Sequence, residues 1–335
     1  MSLKEKLLAK TTIAETASLA QSKVFELKDC IITDTPALNI ALSGEITGGM
    51  GPGILQIAGE SRMFKSKFAL EISDHFVKKF PEGIVLVYDS EFGTPESYYN
   101  GLIVDNYIHS PVVDLEQLKI DIVNQIAEVS TEEKDKLLII VDSLGNLESV
   151  KQHDDALKGK VVTDMTRAKV IRSLFRLVGP RIALKDIYMI VINHSYKQMD
   201  QYLPDKVSGG GGTIYNSNGI WMITSEKEKD KAKKNTIGFE FKIKIEKSRF
   251  VLQEKRIPIT VRFDSGIYQW SGLLELAIES GHIVRPTLQK YAFKGELETL
   301  YKIDEIEGND KFFEKLLKTD FPKWIKDHYQ YKDTQ

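Results

Sequence analysis

At 335 residues, with 42% hydrophobic and 28% charged residues, the chain can bury one large core with a small appendage, or two modest domains. A net charge of −2 excludes a polycation, so any nucleic-acid site must be a local basic surface. One cysteine, Cys30, excludes an internal disulfide framework, and no stretch has the apolar length of a membrane span or a secretory core; a cytoplasmic protein without a membrane partner is expected.

Residues 1 to about 22 carry Leu3, Leu7, Leu8, Ala14, Ala17 and Leu19 at helical spacing, and Phe25, Cys30, Ile31 and Ile32 follow as a short extended segment before Pro36. Such an arm cannot bury its apolar face alone, so it packs either on its own core or on a neighbouring copy. Residues 37–52 are glycine-rich and lead into Ile54, Leu55, Ile57 and Ala58, a buried strand ending at Gly59. Lys65 and Ser66 then open a helix with Phe68, Leu70, Ile72, Phe76 and Val77 on its apolar face.

Strand, loop and Lys-Ser at a helix start form the pattern of a Walker A phosphate loop. The residues that would line it are Gly59, Glu60, Ser61, Arg62, Met63, Phe64, Lys65, Ser66 and Lys67. Lys65 would neutralise the terminal phosphate, and Ser66 would hold Mg²⁺. The pattern has glycine before the lysine, whereas this chain has Phe64, which requires a backbone that does not need positive φ there. The alternative is an ordinary strand-to-helix loop capped by Ser61.

Further strands are expected at Ile84–Tyr88, Leu137–Val141 and Ile187–Ile192, with helices near Leu115–Ser130 and Val162–Val178 between them. This alternation predicts an α/β fold with a mostly parallel sheet covered on both faces, and ligands at the carboxyl ends of its strands. Glu91, Asp142 and His194 all fall at such ends. Asp142, closing the apolar run LLIIVD, suits a Walker B carboxylate on Mg²⁺; its alternative is a turn-forming aspartate. Glu91 suits a residue that activates water, its alternative being a solvated turn.

Residues 195–213 are polar, bear tyrosines and end in four glycines, and residues 158–176 carry Arg167, Lys169, Arg172 and Arg176 among their basic side chains. The basic run reads as a solvated helix face or, with the glycine-rich loop beside it, as a groove for single-stranded DNA. Residues 220–263 predict antiparallel strands around a charged hairpin end, EKEKDKAKKN, with Lys247 and Arg249 on one side of a strand end. From Ser271 the pattern shifts to short helices and turns.

The ordered set GESRMFKS, VLVYDSEFG, LIIVDSLGN, MIVINHSY, SGGGGT and FKIKIEKSR resembles the RecA/Rad51 recombinases, and most of all the UvsX-type recombinases of tailed phages. The resemblance implies a RecA-like P-loop NTPase core at 36–270, an N-terminal helix and strand polymerisation arm at 1–35 packing on a neighbour, and a small C-terminal α/β domain at 271–335. It implies that Lys65, Ser66 and Asp142 bind ATP and Mg²⁺, that Glu91 activates water, and that His194 takes the place of the polar γ-phosphate sensor. Lys247 and Arg249 match the basic pair that reaches a neighbour's ATP, with Arg in place of the second Lys. The DNA loops map to about 156–164 and 196–212. There Lys169, Arg176, Gly211 and Gly212 match phosphate-binding positions, and Met199 or Tyr202 is a candidate base wedge. The adenine-stacking segment near Pro95 is a residue short, leaving Tyr98 or Tyr99 to stack.

The implied activity is an ATP-dependent recombinase filament on single-stranded DNA that pairs it with homologous duplex, served by a mediator and a single-stranded-DNA-binding protein. Two alternatives share the motifs: a hexameric helicase of the same fold, and a filament that coats DNA without hydrolysis.

Overall fold

The computed structural model describes residues 1–13, 16–22, 28–93, 98–99, 101–159, 166–196, 206–207, 211–229 and 235–331. Helix α1 (Leu3–Lys10) is closed by a reciprocal Ser2–Glu5 capping box and buries none of its residues. The segment that follows behaves differently: Ile31 is fully buried and pairs with Met50, and the Tyr188 hydroxyl donates to Asp29 O at 2.8 Å. Within the first 35 residues, therefore, the helix stands clear of its own core while residues 28–35 pack into it.

Helix α2 (Pro36–Ser43) starts on a proline and stops at Gly44 in the left-handed region. The chain then builds β1 (Gly53–Gly59), α3 (Lys65–Lys79), β2 (Ile84–Asp89), β3 (Tyr107–Pro111), α4 (Leu115–Glu128), β4 (Leu137–Asp142), α5 (Val150–Leu157), α6 (Thr166–Lys185) and β5 (Tyr188–Tyr196). After the short β6 (Lys206–Val207) and α7 (Gly211–Asn216) come β7 (Gly219–Lys229), β8 (Thr236–Ser248), β9 (Arg256–Arg262) and β10 (Gly266–Ile267). Helix α8 (Leu273–Glu279), the hairpin β11 (Ile283–Thr287) and β12 (Lys290–Phe293), and helices α9 (Ile303–Ile306), α10 (Asp310–Leu317) and α11 (Phe321–Tyr329) complete it.

The large sheet runs β10-β9-β8-β7-β1-β5-β4-β2-β3, with β6 paired to β5. Strands β7, β1, β5, β4, β2 and β3 are mutually parallel, and β8 to β10 continue as an antiparallel meander. The parallel strands β1 and β4 are buried at every residue, as strands covered on both faces must be. In β8, by contrast, Phe241, Ile243 and Ile245 are buried while Lys242 and Lys244 between them are not, the alternation of a one-sided strand.

One apolar cluster joins Phe68, Ile72 and Phe76 of α3 to the sheet and to Leu273, Phe312, Phe321 and Ile325 of the C-terminal elements. A second, on the other face, joins Leu118 and Ile122 of α4 to Leu174, Phe175 and Val178 of α6. The C-terminal elements also dock by polar contacts, Gln330 Nε2 donating to Ser43 O at 2.8 Å. Residues 271–335 combine the β11–β12 hairpin with helices. Two expectations need correction. Edge strand β3, too polar to stand out, forms by parallel pairing with β2. Pairing of β7 with β8 also extends into the charged stretch, where Lys242 reaches Glu226 at 2.8 Å and Arg262 reaches Glu228 at 2.9 Å across strands. Among the described residues, no helix is long and apolar enough to cross a membrane.

Candidate functional site

Strands β1, β5, β4 and β2 lie side by side and in register, so Gly59 stands level with His194, and Asp89 level with Asp142. Their carboxyl ends form one polar ledge inside an otherwise apolar sheet. Gly59 ends β1 under a steric constraint, since a Cβ there would sit 2.9 Å from Ile223 O on β7.

The loop after Gly59 exposes Glu60, Ser61 and Arg62 and half-buries Met63 and Phe64. Helix α3 begins at Lys65 with Phe64 at its N-cap position and no side-chain cap, so Ser61 does not close the helix start. Phe64 has φ 52 and Arg62 φ 65, which corrects the expectation of an unstrained backbone before the lysine. The phenylalanine occupies the very conformation a glycine would favour. Its ring centroid lies 5.8 Å from Phe239 and 5.5 Å from Phe241, so aromatic packing against β8 offsets the backbone cost.

Lys65 is buried, and its ammonium donates to Gly59 O at 3.2 Å and Glu60 O at 2.7 Å. Burial lowers its pKa, with Glu91 and Asp142 pulling the other way. Ser66 Oγ donates to Asp142 Oδ2 at 2.5 Å, while Asp142 Oδ1 is buried without a hydrogen-bond partner. Burial first, then the nearby Glu91 and Asp89 carboxylates, raise Asp142 to about 6 against the Ser66 hydrogen bond and Lys65. An orphaned carboxylate oxygen beside a hydroxyl and a buried ammonium fits Mg²⁺ with a polyphosphate. Among the described residues no group of three or more His, Cys, Asp or Glu could hold a metal unaided, so such an ion would share its coordination with phosphate oxygens and water. Lys67 is half-buried one residue further along the helix.

Glu91 Oε1 lies 3.3 Å from His194 Nε2, which is also 3.4 Å from Ser143 Oγ. A carboxylate only accepts, so Nε2 carries the shared proton. Burial, then the charge of Lys65, hold the His194 pKa below its usual value despite Glu91. Sequence reasoning missed the supports of this pair. Asp89 Oδ1 accepts from the N–H groups of both Glu91 and Phe92 at 2.9 Å and so sets the turn that carries the glutamate. Ser90 Oγ donates to Ser143 O at 2.7 Å and accepts from Ser143 N at 3.0 Å, joining the ends of β2 and β4. The signal was available as an Asp-Ser dipeptide at two neighbouring strand ends.

Tyr98 is half-buried, its hydroxyl raised by burial. Tyr99, with Val87, Asp89, Phe92, Val104, Tyr107 and His109, lines a cavity of about 500 Å³ beside the Glu91 turn. Lys169, Arg172 and Arg176 form an exposed stripe on α6, opposite buried Ile171, Leu174, Phe175 and Val178. Arg167 is differently placed, with Nε donating to Leu147 O and Nη2 to Leu144 O and Gly145 O. Gly211 and Gly212 open α7, while Met199 and Tyr202 lie outside the described residues.

Lys247 and Arg249 are not brought to the ledge. Lys247 pairs with Ile220, which stands level with Gln56, and Arg249 N donates to Asn218 O beyond the end of β8. The pair thus lies two strands from β1 and toward its amino end. Lys247 Nζ donates to Ile214 O at 2.6 Å and Tyr215 O at 3.2 Å of α7, and burial, then the charge of Arg249, lower its pKa. Arg249 is exposed.

No family model matches the chain. It is 43% identical over 292 residues to the "Recombination and repair protein" of Enterobacteria phage T4, a match spanning 87% of this chain and 74% of that protein. Identity of that degree over most of both chains makes this protein a member of the same phage recombination and repair protein family.

Proposed function

We propose that the protein is a DNA-dependent ATPase that assembles as a helical filament on single-stranded DNA and catalyses homologous pairing and strand exchange with duplex DNA. The observation that carries this reading is the buried Asp142 carboxylate, half satisfied by Ser66 and half unpartnered, beside Lys65 at an uncapped helix start. The phage relative's name supports recombination as the setting, and by extension the infected cell as the place of action.

In this reading the start of α3 and Lys65 hold the triphosphate of ATP, Lys65 exchanging its two carbonyl partners for phosphate oxygens. Mg²⁺, held by Ser66 and Asp142, would neutralise charge on the phosphoryl oxygens. Glu91 accepts the proton of the attacking water, and His194 keeps Glu91 oriented through its Nε2–H. The base would stack in the cavity beside Tyr99, with Tyr98 adjacent. Lys247 and Arg249, remote from their own ledge, serve the triphosphate of a neighbouring copy, so the nucleotide joins two protomers. The exposed Lys169, Arg172 and Arg176 stripe, with Gly211 and Gly212, grips the DNA backbone, leaving sequence choice to base pairing. Exposed α1 meets the adjacent protomer; a mediator and a single-stranded-DNA-binding protein are the expected accessory partners.

The test is ATP turnover with and without single-stranded DNA, paired with electron microscopy of the ATP-bound protein. Turnover stimulated by DNA and open helical filaments are expected. Closed rings, or hydrolysis indifferent to DNA, would overturn the proposal.

A further inference from the structure

Arg167 carries the same charge as its neighbours on α6 but is oriented inward. Its guanidinium donates to three main-chain carbonyls of one turn: Leu147 O at 2.8 Å, Leu144 O at 3.0 Å and Gly145 O at 3.0 Å. That turn leaves the end of β4 and is pinned to β5 by Leu144 N donating to Ile192 O at 2.9 Å. On its other side it meets His194 so closely that a Cβ on Gly145 would sit 2.3 Å from His194 Cδ2. The ring nitrogen bonded to that carbon, Nε2, holds Glu91 at 3.3 Å. A continuous line of contacts therefore runs from the first turn of α6, through Arg167, Gly145 and His194, to Glu91.

We propose that Arg167 is a positioning residue that couples the DNA-facing helix α6 to the Glu91–His194 pair. The inference rests on the ATPase and DNA-binding reading given above. Lys169 and Arg172 follow Arg167 within two turns, so a shift of α6 on engaging a phosphate backbone is imposed on the carbonyls that Arg167 holds. The planar fork transmits such a shift because its donors keep fixed angles to one another, whereas a lysine would hold at most part of the turn through a flexible stem. The turn cannot yield at Gly145 without moving the imidazole, and the imidazole cannot move without releasing Glu91. Arg167 thus acts on hydrolysis without touching either DNA or nucleotide.

The experiment compares the full-length protein with Arg167→Ala and Arg167→Lys, using an oligothymidylate as the DNA. Two quantities are read: the ratio of ATP turnover with DNA to turnover without it, and the DNA affinity as a function of salt. Both variants are expected to lose about tenfold or more of the DNA stimulation, within the usual range of coupling between sites. Affinity and the slope of log K against log salt are expected to stay at the wild-type values. If Arg167→Ala lowers that slope by about one and Arg167→Lys restores it, Arg167 is a phosphate contact and the inference fails. A wild-type stimulation ratio in either variant overturns it as well. So does failure of both variants to fold, judged by far-ultraviolet circular dichroism, since Arg167 would then be a stabilising clamp alone. A wild-type protein that DNA does not stimulate would instead sink the broader ATPase proposal.

Discussion

Ser66 Oγ and Asp142 Oδ2 meet at 2.5 Å, yet the other oxygen of the same buried carboxylate has no partner. The arrangement keeps a charge in a place where the fold alone gains nothing from it. Asp142 is raised from 3.8 to about 6, so between those values the folded chain binds the proton that the unfolded chain releases. Stability therefore falls as pH rises through this window, and the full penalty, on the order of 2–3 kcal/mol, is present above it. Asp142→Asn should stabilise the nucleotide-free protein by about that amount near neutral pH. The gain should vanish in acid, where both side chains are neutral. Urea titrations at the two pH values check this, and an equal effect at both would remove the ionisation argument. The same variant should lose Mg²⁺-dependent stabilisation by ATP.

Phe64 offers a second stability test, because its cost and its compensation can be separated. Phe64→Ala keeps the penalty of positive φ and loses the rings facing Phe239 and Phe241; Phe64→Gly loses both. The expected order is wild type, then glycine, then alanine, with about 1 kcal/mol between the last two. Denaturant midpoints read the order directly. A glycine variant more stable than wild type would mean that the aromatic contacts contribute less than the backbone strain costs.

The contrast between Phe64 and the strands around it shows what was legible in the sequence. Continuous apolar runs marked β1, β2, β4 and β5, and the polar residue closing each run was enough to place Lys65, Ser66, Glu91, Asp142 and His194 on one ledge, because burial on both faces forces that pattern. The left-handed Phe64 was not legible, since its compensation comes from strand β8, some 175 residues away, through tertiary packing. Arg167 was legible only in part. At 3.6 residues per turn it falls on the face of Ile171, Leu174 and Val178, opposite Lys169, Arg172 and Arg176, so spacing turns it inward; its partners, the carbonyls of the turn after β4, come from tertiary structure alone. Strand β3 lacks a pattern of its own and exists by virtue of β2.

The Glu91–His194 contact predicts a graded pair of variants. Glu91→Gln should abolish turnover while leaving nucleotide and DNA binding intact, since an amide cannot take the proton of the attacking water. Gly145→Ala should impair turnover through displacement of His194, with the Cβ falling 2.3 Å from Cδ2. Combining Gly145→Ala with His194→Ala, which vacates the space, should relieve the steric part of the folding cost, on the order of 1–3 kcal/mol. Thermal denaturation measures that relief. Additive destabilisation in the double variant would show that the two residues do not press on one another.

Lys247 and Arg249 carry the strongest prediction about assembly. In the single chain they lie two strands from β1, and Lys247 holds the last carbonyls of α7 rather than anything on the ledge. If they act on a neighbour's nucleotide, a protomer lacking them still owns a complete ledge, and a protomer lacking Lys65 still owns the basic pair. Neither the double variant Lys247→Ala with Arg249→Ala nor the single variant Lys65→Ala should hydrolyse ATP alone. Mixed together they should recover turnover, because some interfaces then join an intact ledge to an intact pair. The recovered activity should depend on the mixing ratio and disappear when either partner is omitted. Mixtures as inactive as their components would mean that the pair serves its own chain or none, and the shared nucleotide would have to be abandoned.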